Sequence, residues 1–179
     1  MALTTRANLA AFVWGLAEGS LFFIVPDVLL TALALSRLRT ALIACIWAVA
    51  GALCGGLIMH AWGATAPVEA WAILDHVPAI GPAMEHRVQA SMAEHGLVAM
   101  FQGPVTGTPY KLYAVAAGQL HMELLPFLLI SIPVRGIRFV LAVLLAHAIV
   151  GRAPKRLRLS VLAGWWLLNY AVYFSIMGW

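Results

Sequence analysis

The stretch 7–36 is apolar over thirty residues, and its length and interruptions limit what the chain can become. As one helix it would run about 45 Å at 1.5 Å per residue, against a bilayer hydrocarbon core of about 30 Å. It also carries Glu18-Gly19 and Pro26-Asp27. Proline inside a helix removes a backbone hydrogen bond and clashes with the preceding turn, and a carboxylate at such depth needs protein or water beside it. Two half-helices meeting near the middle of the membrane satisfy both constraints. The stretch 96–120 repeats the scheme, with an apolar arm, a Gly/Pro break at 103–109 and a second arm. Paired, interrupted apolar segments predict re-entrant hairpins that line a site, because non-helical backbone cannot face lipid.

A membrane setting follows from composition. The 179 residues are 63% hydrophobic and 10% charged, with mean hydropathy +0.93, whereas about a quarter of the residues of soluble domains are charged. The length accommodates one domain. The net charge of +4 does not indicate nucleic acid, because the basic residues flank apolar runs instead of lining a helix face. Arg6, Arg37, Arg39, Arg152, Lys155, Arg156 and Arg158 form the footprint of a positive cytoplasmic side. Cys45 and Cys54 are expected to be small core residues. The first apolar run holds a carboxylate and lacks a small-residue cleavage site, which argues against a signal peptide.

The remaining apolar stretches, about 40–63, 124–150 and 159–178, predict spanning helices. In the first, Gly51 and Gly55 have a G-x-x-x-G spacing, open to packing within the protomer or to a homodimer. In the last, Trp165, Trp166, Tyr173 and Trp179 suit membrane interfaces. The polar segment 64–95 predicts short helices at or outside the surface. With both hairpins re-entrant, Arg87 alone among the loop cations lies outside; with both stretches spanning, Arg37 and Arg39 move outside and the acidic segment 64–95, with Arg87, moves inside. The expected fold is therefore an all-α polytopic membrane protein with two re-entrant hairpins, about 7–36 and 96–120, and about three spanning helices.

The chemistry concentrates at the breaks. Thr108 is an expected N-cap and Pro109 an expected first helical residue, so the free N–H groups of a new half-helix point into the membrane interior. Gly107, Thr108 and Lys111 then form an anion site suited to phosphate; the other reading has Lys111 snorkelling to an interface beside a simple turn. Arg135 and Arg138 lie three apart on one face of an apolar helix and need partners, for which Glu18, Asp27 or a ligand's anion qualify. They form either a static ion-pair set or a counterion set that binds an anionic headgroup or couples to protons. Glu85-His86 and Glu94-His95 fit a solvated face better than a metal site. Ser20 and Ser131 lack a nucleophile-elbow pattern or an evident base. His60, His121 and His147 are expected near helix ends.

These residues resemble the DedA-like membrane proteins that share the VTT, or SNARE-associated, domain. The matches are Glu18 with Pro26-Asp27-Val28-Leu29-Leu30, the Gly51/Gly55 helix, and "GPVTGTPYKLYAVAAGQLHMELLPFLLISIPVRGIRF". They span roughly 12–62 and 96–152. Lys111 fits the later of two basic family positions, and Gly103-Pro104 stands at the earlier. The resemblance implies two re-entrant hairpins facing each other and movement of lipids across the bilayer, such as undecaprenyl phosphate recycling in bacteria or phospholipid scrambling in eukaryotic relatives.

The expected protein is a lipid translocase of a bacterial inner membrane, not an enzyme, with membrane lipids as partners and no cofactor, metal or nucleic acid. Lys111, Arg135, Arg138, Thr108 and Gly107 hold the lipid phosphate while Glu18 and Asp27 balance charge or exchange protons. The alternatives are an ion- or proton-coupled small-solute transporter of the same fold and an intramembrane lipid-modifying enzyme.

Overall fold

The computed structural model describes residues 2–177, and among these all regular secondary structure is helical, without strands. The elements are α1 (Ala2–Ser20), α2 (Asp27–Ala34), α3 (Leu38–Thr65), α4 (Pro67–Leu74), α5 (Pro82–His95), a 3-10 segment (Gly96–Gln102), α6 (Gly103–Thr106), α7 (Tyr110–Gln119), α8 (Leu124–Ile149), continued by a 3-10 turn (Val150–Arg152), and α9 (Arg158–Met177). Two helices, Leu38–Thr65 and Leu124–Arg152, are long and apolar enough to cross a membrane. The expected third, 159–178, forms α9 except for its last residue, which with Trp179 lies outside the described residues.

Helix α3 is the axis. Small residues let backbones approach it on both sides. A Cβ at Gly55 would lie 2.9 Å from the Gly19 Cα, and one at Gly63 would lie 2.9 Å from the Val115 carbonyl carbon. The G-x-x-x-G spacing is thus used inside the protomer, with Gly51 and Gly55 against α1, and that face is not free for a homodimer. Cys45 is buried, but Cys54 is exposed, contrary to its expected core position, because the two lie on different sides of α3.

Contacts along α3 fix the directions of its neighbours. Gly15 meets Ala48 and Gly19 meets Ala52, so α1 runs parallel to α3. The chain turns through 21–26, and α2 returns to the start of α3, where Leu30 and Ala34 share a buried cluster with Ala41 and Ala44. On the other side Tyr110 meets Gly56 and Val115 meets Gly63, so α7 leads from a turn at 107–109 toward the C-terminal end of α3. The two turns therefore approach each other from opposite ends. Helix α8 descends antiparallel to α3, from Phe127 beside His60 to Gly136 beside Val49.

The outgoing arm of the second hairpin differs from expectation: 96–102 is a 3-10 segment, leaving only four residues of α-helix in α6. The segment 64–95 forms short helices, yet it does not simply face solvent. Trp71, Leu74, Met84, Val88 and Met92 bury themselves in one cluster with Leu112 and Val115 of α7. Glu85, expected on a solvated face, is buried there as well.

Candidate functional site

The first break, 21–26, leaves backbone groups without helical partners, and side chains from three elements supply them. Trp14 Nε1 donates to the Ile24 carbonyl at 2.9 Å, and the Val25 N–H donates to the Tyr170 hydroxyl at 3.0 Å. Lys111 Nζ donates to the Phe22 carbonyl at 2.6 Å. Such closure is what non-helical backbone in an apolar setting requires.

At the second break Gly107 is left-handed, with φ 76° and ψ 8°, a conformation that glycine adopts without strain. Pro109 has ψ 137°, so α7 starts at Tyr110, one residue later than expected. Thr108 is therefore not the N-cap and makes no cap bond; its hydroxyl lies 2.8 Å from that of Thr106. Pro109 takes the cap position. Gly107, Thr108 and Lys111 still stand together at the turn, with the Gly107 carbonyl 3.4 Å from the Tyr173 hydroxyl.

Helix α8 supplies the arginines, and their partners divide by position. Arg135 pairs with Glu18, both nearly fully buried, and its guanidinium lies between the Tyr110 and Phe139 rings at 5.1 and 4.7 Å. Arg138, one turn further on, pairs with Asp27 at 3.1 Å. Each arm of the first hairpin is thus tied to α8 by one ion pair. The second hairpin is tied differently: Tyr110 donates to Ser131 at 2.9 Å, and Ser131 donates to the Phe127 carbonyl at 2.8 Å. Ser131 is thereby committed to structure, as is Ser20, which donates to Leu16 and Ala17 carbonyls.

The charges do not balance. Glu18 and Asp27 are both claimed by arginines, and among the described residues Lys111, 1% exposed, has the Phe22 carbonyl as its hydrogen-bond partner and no carboxylate of its own. One carbonyl is little compensation for a buried ammonium with three donors. Beside Lys111 lies a cavity of about 220 Å³ lined by both breaks, Glu18, Arg138 and the aromatic face of α9. Asp27 Oδ1 and Arg135 Nε, in the two ion pairs, are buried without a hydrogen-bond partner, but neither residue lines this cavity.

The aromatic face of α9 is the part that sequence reasoning missed. Trp166 and Tyr173, expected at membrane interfaces, turn inward with Asn169 and Tyr170; Trp166 Nε1 donates to Thr31 Oγ1 at 3.0 Å. The signal was the spacing 166, 170, 173, which places them on one helical face. His60 lies inside α3, where its Nε2 is 2.9 Å from the Met122 carbonyl at the α7–α8 connection. His121 is in that connection, and His147, in the last turn of α8, is 2.9 Å from the Ala34 carbonyl. Among the described residues no three His, Cys, Asp or Glu side chains gather as a metal site would need.

The chain is 26% identical over 168 residues to an uncharacterized protein of Haemophilus influenzae, with 89% of this chain and 83% of that one covered. No family model and no solved structure matches it.

Proposed function

We propose that this is a polytopic protein of a bacterial inner membrane, akin to the DedA-like proteins, that moves a phosphate-bearing lipid across the bilayer. In this reading 7–36 and 96–120 are re-entrant hairpins entering from opposite sides, and their tips meet at the cavity. The observation that carries the proposal is Lys111, buried beside a cavity bordered by both tips, with a backbone carbonyl as its hydrogen-bond partner and with Glu18, the carboxylate that acts on it, already paired to Arg135. An anion restores neutrality there, and a phosphate offers acceptors for several donors at once. The outward apolar residues of α8, among them Leu125, Leu129 and Leu144, suit contact with lipid.

A proton-coupled small-solute transporter is the second reading, favoured by the unpartnered, buried Asp27 Oδ1, which offers a place for a proton. A lipid-modifying enzyme has less support, since Ser20 and Ser131 are held by backbone carbonyls.

The test is translocation in reconstituted vesicles. Labelled phosphatidic acid is expected to cross faster with the protein than without it, and Lys111→Gln is expected to reduce both the rate and binding of the phosphate lipid by about tenfold or more, the loss of a charge-assisted hydrogen bond of about 1.5–3 kcal/mol. Equal losses for the dephosphorylated lipid would sink the phosphate role. Topology is checked by thiol labelling on a Cys54→Ala background: cysteines at exposed Arg6 and Ser36, which flank the first hairpin, are expected to react from the same face, as are cysteines at exposed Glu94 and His121, which flank the second, and reaction of either pair from opposite faces would refute re-entrance of that hairpin.

A further inference from the structure

A second, larger cavity of about 860 Å³ runs between α8 and α9, which scarcely touch along it. Its walls are apolar: Ile137, Leu141 and Leu145 from α8 face Val161, Leu162 and Trp165 from α9. It is not a separate feature, because Pro104, Arg138, Trp166 and Asn169 line both it and the cavity beside Lys111. The charged cavity thus opens directly into a hydrocarbon-lined groove. From Arg138 to Val150 the groove follows α8 for about 18 Å at 1.5 Å per residue, close to the roughly 15 Å depth of one leaflet of a bilayer core. Its floor is kept low by Ala142 and Ala146, small residues one turn apart.

We propose that this groove holds the hydrocarbon chain of the lipid whose phosphate sits at Lys111 and Arg138, with the chain directed toward the basic segment 152–158. The inference rests on the phosphate-lipid reading and deepens it, since it identifies the occupant as a single amphiphile that bridges the two cavities. A free phosphate would leave the groove without use, and an ordinary lipid without an accessible phosphate would leave Lys111 without a counterion. The small cavity alone lies below the about 300–1,000 Å³ of usual ligand sites, and the two together accommodate a head and a chain. The chain's orientation is set by geometry: Arg138 lines the groove near its Pro133 side, with Lys111 in the adjoining cavity, and the longer apolar run leads from Arg138 to Ile149 and Val150.

The experiment uses the full chain in phosphatidylcholine vesicles containing phosphatidic acid with a diazirine at the end of one chain. Photolysis is expected to label Leu145, Ala146 and Ile149 about tenfold more than Leu129 or Ile46, which are exposed on other faces. Ala142→Trp, which raises the groove floor, is expected to abolish that labelling while leaving binding of inorganic phosphate intact; Ala146→Phe provides the same test with a smaller intrusion, and retained phosphate binding shows that each variant is folded. Lys111→Gln is expected to reduce groove labelling about tenfold, the loss of one charge-assisted hydrogen bond. Even labelling of all outward faces, or equal groove labelling by a diazirine diacylglycerol, which lacks the phosphate, overturns the proposal while intact phosphate binding preserves the reading on which it rests. Groove labelling and phosphate binding that both survive Lys111→Gln would instead fail that phosphate reading and leave the groove as a chain site without a fixed head.

Discussion

The two hairpins solve one problem by opposite means. The first places its carboxylates, Glu18 and Asp27, at the ends of two α-helical arms and locks each to an α8 arginine. The second brings a cation, Lys111, with no carboxylate, and its outgoing arm is mostly a 3-10 segment. It is steadied instead from outside, by the apolar faces of α4 and α5 packed on α7. The difference separates framework from site. Charges that are matched hold the first hairpin in place, whereas the cation of the second has a backbone carbonyl in place of a carboxylate partner.

Loss of the close packing on α3 is the most damaging change. In Gly55→Val the added Cβ would meet backbone atoms of Leu16 and Gly19 at 2.6 and 2.9 Å, and backbone cannot rotate aside. Gly118→Val does the same to the second hairpin, where a Cβ would lie 2.8 Å from the Ala64 nitrogen. Overpacking typically costs about 1–3 kcal/mol and more where the neighbours are rigid. Both variants are expected to lower the melting temperature in detergent sharply, while Gly164→Ala, with open space around its position, is expected to leave it unchanged. If only one of the pair were harmful, the hairpins would not share α3 as an axis.

Next in size is the test of matched against unmatched charge. Arg135→Met strands the buried Glu18 carboxylate and is expected to cost about 3–5 kcal/mol, most of which returns when Glu18→Gln is added. Arg138→Met is expected to cost less, because its side chain retains 28% exposure and water replaces part of what Asp27 loses. Lys111→Met removes the donor to the Phe22 carbonyl but strands no charge, so it is expected to cost about 1–3 kcal/mol at most, less than Arg135→Met. Thermal unfolding of the five proteins gives the ranking. A loss at Lys111 equal to that at Arg135 would make the lysine part of the framework and erase the contrast.

Much of this contrast is legible in the chain. Pro26-Asp27 and Gly107-Thr108-Pro109 stand at the turns because proline and left-handed glycine leave helices few alternatives there, and Arg135 and Arg138 demand partners wherever an apolar helix is packed. The all-helical character follows from the same apolar runs. Which carboxylate meets which arginine was not legible, since it depends on the parallel course of α1 along α3, which tertiary contacts set. Nor was the start of α7, where the extended Pro109 moved the cap by one residue. The inward face of α9 was obscured by chemistry: tryptophan and tyrosine suit both a membrane interface and a polar cavity. Segment 64–95 misled for a similar reason, its polar composition hiding a buried apolar stripe.

The smallest expected effect comes from that stripe and concerns the second hairpin alone. Glu85, in α5, is 7% exposed, with Oε1 buried and unpartnered. Burial, and then the neighbouring Asp75 carboxylate, push its pKa up from 4.5 to about 7. A carboxyl whose folded-state pKa is raised stabilises the fold fully below its unfolded value, and the contribution fades as pH rises through the folded one. The packing of α5 on the second hairpin is therefore expected to weaken between pH 4.5 and 7. Glu85→Gln keeps the shape, removes the ionisation, and is expected to flatten that dependence and raise stability at pH 8. Hydrogen exchange reads it locally: the wild-type protein should show faster exchange in α5 and the 3-10 segment at pH 8 than at pH 5 after correction for intrinsic rates, with α1 and α2 unaffected. Equal pH sensitivity in α1 and α2 would mean that the two hairpins loosen as one unit, and that the outer helices brace both.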